Sequence, residues 1–501
     1  MLNYRIIVGI LGAILLVVGF LMLIPMLVGL GYGDADWWAF GGTAAICISF
    51  GVATWNIYRP DEELRIREAF AILTLAWILI PLIAALPFVW SSVVPSFTDA
   101  YFEMISGFTG TGASILGGNN NLPVEELPFA FQFWRAFSQW LGGLSMIVLS
   151  TSLLPLLGIG GMQLFKSEVS GPAIKRLSFR VSEISKRVWG IYTLLTIILA
   201  LLLLPVMSFF DAASTAFSAI STGGFSTKTD SLAAFDSVYV ELIVMVFMII
   251  GAINFNFFYQ ALSHKNYKVF TKTVFKVFMS IMGISIVLMT LAIWRPTAEY
   301  FPPLQLTAPE YLMYPSFGDA LRYASFQVVS VMTTTGFTNT DIHKWMPFTT
   351  FLLITLAMIG GMAGSSAGGL KILRIVLIFK QVIREIQLMI HPRAIIAIRL
   401  DHEVVPPEIS RNITSFVFVY FATFVFGTGI MTFTGVSLVD AAGIVISCLS
   451  GVGPPIGAFG ASESYAILPD LSKWFLSFLM LLGRLEIFTV LLVLIPSYWK
   501  R

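Results

Sequence analysis

The chain has 501 residues, 57% of them hydrophobic and 12% charged, with a formal net charge of +2. Charge at roughly half the level of a soluble domain excludes an ordinary water-soluble fold. Apolar runs near the ~20 residues needed to cross a ~30 Å hydrocarbon core recur from end to end, so the sequence predicts one all-α polytopic membrane domain.

The first apolar run, 6–30, is too long for a signal-peptide core and lacks a small-residue cleavage site, which predicts a retained helix. Further spans are predicted at 37–57, 69–92, 134–158, 187–208, 237–262, 273–294, 346–380, 412–434 and 474–498, ten crossings in all. With a cytoplasmic N-terminus, 23 of the 30 Lys and Arg residues fall on inside segments and six outside, so both termini are predicted in the cytoplasm. Cys47 and Cys448 lie in apolar or pore-lining stretches without metal-type spacing, and neither a disulfide nor a zinc site is expected.

After the spans beginning at 69, 187, 273 and 412, each outside segment holds a further apolar stretch of about 10 to 14 residues, too short to cross and therefore re-entrant. Aligned without gaps, these stretches end in Ser106-Gly-Phe-Thr-Gly-Thr-Gly112, Ser218-Ala-Ile-Ser-Thr-Gly-Gly224, Ser330-Val-Met-Thr-Thr-Thr-Gly336 and Ser447-Cys-Leu-Ser-Gly-Val-Gly453. The final glycines are 112, 112 and 117 residues apart, an internal repeat of span, half-helix, loop, span. Two additional N-terminal helices (1–58) precede four pore repeats at 59–161, 162–264, 265–392 and 393–501.

The residue types suit a cation filter. A dehydrated ion needs oxygens in place of its hydration shell, and backbone carbonyls of an extended loop supply them at regular spacing. Glycine permits the close backbone approach, and small hydroxyl residues add oxygens without blocking the path. The candidate filter is Thr109, Gly110, Thr111 and Gly112; Ser221, Thr222, Gly223 and Gly224; Thr333, Thr334, Thr335 and Gly336; and Ser450, Gly451, Val452 and Gly453. None is acidic, which points to monovalent rather than divalent cations. Thirteen residues before the glycine stand Asp99, Asp211 and Asp440, whereas Tyr323 holds that place in the third copy and Asp319 lies a turn earlier. These acids either cap the half-helices or recruit cations directly.

At these residues the chain resembles the TrkH, KtrB and HKT superfamily of K+ transporters over nearly all of 60–498. The resemblance implies four helix, pore-helix, helix units around one pore. In that superfamily glycine at the last motif position goes with K+ preference and serine in the first repeat with Na+ permeation, so Gly112, Gly224, Gly336 and Gly453 imply K+. The loose fourth filter, Ser450-Gly-Val-Gly-Pro454, implies weaker discrimination. Two extra N-terminal spans point to the TrkH and TrkG branch, in the bacterial cytoplasmic (inner) membrane. The resemblance further implies a homodimer that pairs with a cytoplasmic nucleotide-binding ring of the TrkA type. The chain itself has no Walker or Rossmann pattern, so no bound cofactor is expected beyond K+ as transported ion, and no nucleic-acid partner. The basic segments 162–187 and 380–411 read either as docking surfaces or as topology and lipid-headgroup signals.

The run 346–380 would be about 52 Å long as one helix, too long for the core. It breaks at Gly360-Gly-Met-Ala-Gly-Ser-Ser-Ala-Gly-Gly369, where helix propensity collapses. The resemblance names this stretch an intramembrane gate loop, with Gly360, Gly361, Gly364, Ser365, Ser366, Gly368 and Gly369 as its residues; close helix packing is the alternative. Gly142-Gly143, Gly251-Ala252 and Gly483 are matching small residues in the other copies. Arg484, about ten residues into the last span, costs ~2.5–3.5 kcal/mol there unless it faces water or a partner, which suggests a barrier below the filter or a contact with the loop, a purely structural ion pair with another helix being the alternative. Glu486 lies on another helix face, and Lys371 sits near the cytoplasmic end, where it can snorkel. An enzyme is not expected: His264, His343, His391 and His402 are scattered and form no metalloprotease pattern. A solute carrier would call for inverted repeats and intramembrane acids, whereas the copies here run in the same orientation and the candidate filters are uncharged.

Overall fold

A computed structural model describes residues 3–58, 65–118, 122–149, 174–295, 311–401, 403–457 and 464–499. Arg59, His402, Lys500, Arg501, residues 162–173 of the basic segment 162–187 and the end of the predicted span 134–158 lie outside the described residues. Among the described residues the regular elements are helices apart from one two-residue hairpin, β1 (Arg399–Leu400) against β2 (Glu403–Val404).

The N-terminal helices α1 (Tyr4–Tyr32) and α2 (Trp37–Ile57) form a hairpin. Small residues bring the two backbones together: a Cβ on Gly51 would lie 2.8 Å from the carbonyl of Gly12. α1 then packs on α3 (Ile66–Ala84) and α6 (Phe129–Val148), and the Asp34 carboxylate accepts the amide of Ala130 at 2.8 Å.

The four short re-entrant helices are α5 (Phe97–Thr109), α8 (Phe209–Ile220), α12 (Phe317–Met332) and α16 (Leu438–Ser450). Each is preceded by a longer helix: α3, extended by α4 (Leu86–Trp90), then α7 (Ile174–Leu203), α11 (Thr273–Ile293) and α15 (Pro407–Phe433). Each is followed by an inner helix: α6, α9 (Val238–Ala252), α13 (Pro347–Ile359) and α17 (Asp470–Arg484). The C-terminus closes the ring. α17 packs on α5, α18 (Ile487–Leu494) packs on α3, and the Tyr498 hydroxyl of α19 (Pro496–Trp499) donates to the Arg67 carbonyl.

Among the described residues six helices are long and apolar enough to cross a membrane, and two sharply bent pairs raise the number to eight. The expected spans 237–262 and 474–498 are not continuous helices. The first bends by 91° between α9 and α10 (Phe255–His264), the second by 116° between α17 and α18. Asn254 causes the first break by capping α10 with its side chain, and Glu486 marks the second with a φ of 60°. Helix α6 falls short of a crossing by hydropathy because Gln132, Arg135, Ser138 and Gln139 are buried against protein, not lipid. The run 346–380 is divided as expected into α13, a loop and α14 (Ile372–Ile390).

Candidate functional site

The four re-entrant helices share a start that the sequence reading assigned to the wrong residue. Their N-caps are Ser96, Ser208, Ser316 and Ser437, and Asp99, Asp211, Asp319 and Asp440 all stand three residues later. In three copies the serine hydroxyl accepts the aspartate amide, at 3.3, 3.1 and 3.3 Å. The carboxylates thus lie in the first turn, where the positive end of the helix dipole favours them. Asp319 is in register after all: α12 has 16 residues against 13 in α5, and the extra turn moves the acid back when the copies are aligned from the glycine. The Asp99 carboxylate also meets the Lys473 ammonium of α17.

The loops that follow share one hydrogen bond. The carbonyls of Ser106, Ser218, Ser330 and Ser447 accept the amides of Thr111, Gly223, Thr335 and Val452 at 2.8 to 2.9 Å. They also share an alternation of backbone hand. Gly110, Thr222, Thr334 and Gly451 have positive φ, as do Gly112, Gly224, Gly336 and Gly453 two residues on. The four glycines form a closed cycle. A Cβ on Gly112 would lie 2.1 Å from the Gly223 carbonyl oxygen, one on Gly224 1.9 Å from that of Thr335, one on Gly336 1.9 Å from that of Val452, and one on Gly453 2.4 Å from that of Thr111. Each copy therefore leaves space for nothing larger than glycine beside the next. A cavity of about 100 Å³ adjoins this ring and is lined by Gly112, Gly224, Gly336 and Pro454, one from each copy. Arg135 on its wall is neutralised by Glu103 at 2.7 Å, and both are buried.

On the other side of the ring lies the loop 360–371, packed against the candidate filter strands. The Gly368 amide donates to the Thr334 hydroxyl at 2.7 Å, and the Gly369 amide to the Ser450 carbonyl at 3.1 Å. The Ser366 hydroxyl donates to the carbonyls of Ile220 and Gly251, and the Thr222 hydroxyl lies 3.2 Å from it. A Cβ on Gly368 would stand 1.8 Å from the Ser450 carbonyl oxygen. The loop thus touches the second, third and fourth copies, and Arg484 occupies the place beside the first. Its guanidinium donates to the carbonyls of Ser366 at 2.8 Å and Gly142 at 3.1 Å, and lies 3.5 Å from the Cβ position of Gly110.

No carboxylate hydrogen-bonds to Arg484 among the described residues. It ends α17, where the helix dipole favours a cation, and carbonyls supply the rest of its partners. Glu486 instead pairs with Arg374 of α14 at 2.8 Å, and that guanidinium lies 4.0 Å from the Phe416 ring centroid. Lys371 does not snorkel. It is 8% exposed, and its ammonium turns back to the Ala367 carbonyl of the loop. Gly142 and Gly483 serve close packing: a Cβ on either would lie 1.9 Å from the carbonyl oxygen of Phe108 or Leu449, each the residue before the filter strand.

Residues 38–501 match the TrkH family, described as cation transport proteins. Trk system potassium uptake protein TrkH of Escherichia coli (strain K12) is 36% identical, over 99% of this chain and 100% of that protein. The chain belongs to the TrkH family. Trk system potassium uptake protein TrkG of the same strain is 31% identical, over 96% of this chain and 95% of that one. The crystal structure of the potassium transporter TrkH from Vibrio parahaemolyticus matches with a TM-score of 0.87 and 34% identity, covering 100% of both chains.

Against this TrkH-family frame, sequence reasoning placed the candidate filter glycines, the loop and Arg484 in one region, and the structure brings these residues close together. It missed Gln139, whose amide donates to the Gly223 carbonyl at 2.6 Å and accepts from the Phe225 amide at 3.0 Å. It also missed Tyr465, whose hydroxyl donates to the Gly453 carbonyl at 2.8 Å. A glutamine in the middle of an apolar helix was the legible signal for the first. Tyr465 follows a segment of no fixed pattern, and nothing in the sequence marks it.

Proposed function

We propose that this chain conducts K+ across the bacterial cytoplasmic membrane through one pore at the centre of its four repeats, which divide the chain at 59–161, 162–264, 265–392 and 393–501. The observation that carries this reading is the closed cycle of Gly112, Gly224, Gly336 and Gly453, each so close to the next copy's carbonyl that an added Cβ would overlap it. Four uncharged backbone strands of alternating hand around one axis offer carbonyl oxygens to a dehydrated monovalent cation. The relatives' names as potassium uptake proteins select K+ among such ions.

In this reading the loop 360–371 and Arg484 form the closed gate. The loop's hydrogen bonds to three filter strands, together with a guanidinium beside the fourth, support an obstruction that is both steric and electrostatic. Opening requires the loop to leave those partners, and Lys371 and the Arg374–Glu486 pair tie its exit to α14 and α18. The Lys and Arg distribution supports a cytoplasmic face for this gate and for both termini. We further propose a homodimer regulated by a cytoplasmic nucleotide-binding subunit of the TrkA type, as the relatives' designation as a Trk system suggests.

Purified protein in liposomes tests the pore directly. With K+ inside, choline outside and no Na+ or pH gradient, the protein should pass K+ until the membrane potential balances the gradient. Flux no greater than in protein-free liposomes, in the wild type and in Arg484→Ala alike, would overturn the reading, and flux that requires an imposed proton or Na+ gradient would replace it with coupled symport.

A further inference from the structure

The four filter strands are held in two different ways that alternate around the ring. In the first copy the Thr109 and Thr111 hydroxyls meet at 2.8 Å, and in the third Thr333 and Thr335 meet at the same distance. Each strand ties its own first and third positions together. The second and fourth copies have Gly223 and Val452 at the third position and no hydroxyl to make that bond. In both, a side chain from outside the strand holds a carbonyl instead: Gln139 on Gly223 and Tyr465 on Gly453.

The substitution is spatial as well as chemical. A Cβ on Gly223 would lie 2.4 Å from the Gln139 side-chain amide carbon, so the brace occupies the space that a third-position side chain would need. Tyr465 is itself fixed from three sides. Its amide donates to the Ser114 carbonyl at 3.0 Å, its ring centroid lies 5.3 Å from that of Phe102, and Cys448 backs its hydroxyl. Those contacts join the fourth strand to the first copy. Tyr420 adds a hydroxyl contact to Ser450 at 2.7 Å.

We propose that Gln139 and Tyr465 are positioning residues for ion selectivity, which supply to the second and fourth strands the rigidity that paired threonines give the first and third. The inference rests on the filter reading above. A strand that loses its brace relaxes around Na+ as readily as around K+, because discrimination depends on carbonyls held at a set number and distance.

The test uses Tyr465→Phe in the full-length protein, reconstituted in liposomes, with the K+ over Na+ permeability ratio from bi-ionic reversal potentials as readout. The ratio should fall about fivefold, the factor carried by one ordinary hydrogen bond. Val452→Thr on that background keeps the side-chain shape and restores a third-position hydroxyl within reach of Ser450, and it should recover most of the ratio. Gln139→Met gives an independent measure at the second strand and should lower the ratio as well. An unchanged ratio in both Tyr465→Phe and Gln139→Met overturns the proposal, and so does a loss in Tyr465→Phe that Val452→Thr leaves uncorrected. Absence of K+ flux in both the wild type and Arg484→Ala would instead defeat the pore reading on which the proposal rests.

Discussion

The two halves of the candidate pore treat the repeat differently. On the filter side the four copies agree in detail: the same serine caps with an acid three residues on, the same amide to serine carbonyl bond, and the same positive φ at two strand positions. On the other side the inner helices diverge. Helix α9 bends at Ile253 and Asn254, α13 gives way to a loop, and α17 ends at Arg484 before a turn of 116°. An ion on the axis must meet four nearly equal walls, whereas an obstruction has to come from one of them. In the proposed reading, symmetry is kept where ions would be sorted and given up where passage would be controlled.

The largest effect should come from breaking the symmetric half. Gly336→Ala places a methyl 1.9 Å from the Val452 carbonyl oxygen at a φ of 83°. Overlap and a strained backbone together cost on the order of several kcal/mol, so K+ flux in liposomes should fall at least about tenfold. Flux at the wild-type level would show that the ring has room to spare.

That ring was legible because the chemistry of a filter strand resides in its backbone, and backbone demands show as glycine at a fixed period. The caps were half legible. Alignment from the glycine hid the fact that Asp319 matches its counterparts, since α12 is one turn longer and the serine three residues earlier went unread. The asymmetric half was legible only at Gly360 to Gly369, where glycine is dense. The break after α9 depends on a single asparagine cap, and that after α17 on a left-handed Glu486, neither of which lowers hydropathy enough to interrupt an apolar run. Lys371 was misplaced for a related reason: its position along the helix suggested the interface, but the loop folds back and offers a carbonyl inside.

Changes in the asymmetric half should act in the opposite direction. Arg484→Ala removes a buried cation beside the first filter strand, and basal K+ flux should rise by on the order of tenfold. Deleting Gly364 to Gly368 removes the loop's bonds to Thr334 and Ser366's bonds to Ile220, and it too should raise flux while leaving the K+ over Na+ ratio unchanged. A fall in flux for both, in monodisperse protein, would mean that loop and arginine support the filter and do not obstruct it. The smallest effect is expected at the helix caps. Ser208→Ala removes the acceptor for the Asp211 amide and should cost about 1 kcal/mol of stability, read as a lowered unfolding temperature, with ion ratios unaltered.

The central claim, that the four glycines sort K+ from Na+, is tested most directly at Gly112, where a side chain would press on the Gly223 carbonyl oxygen at 2.1 Å. Bi-ionic reversal potentials of reconstituted wild type and Gly112→Ser should show a K+ preference in the first and a clear shift toward Na+ in the second. The same reversal potential for both proteins would contradict the claim.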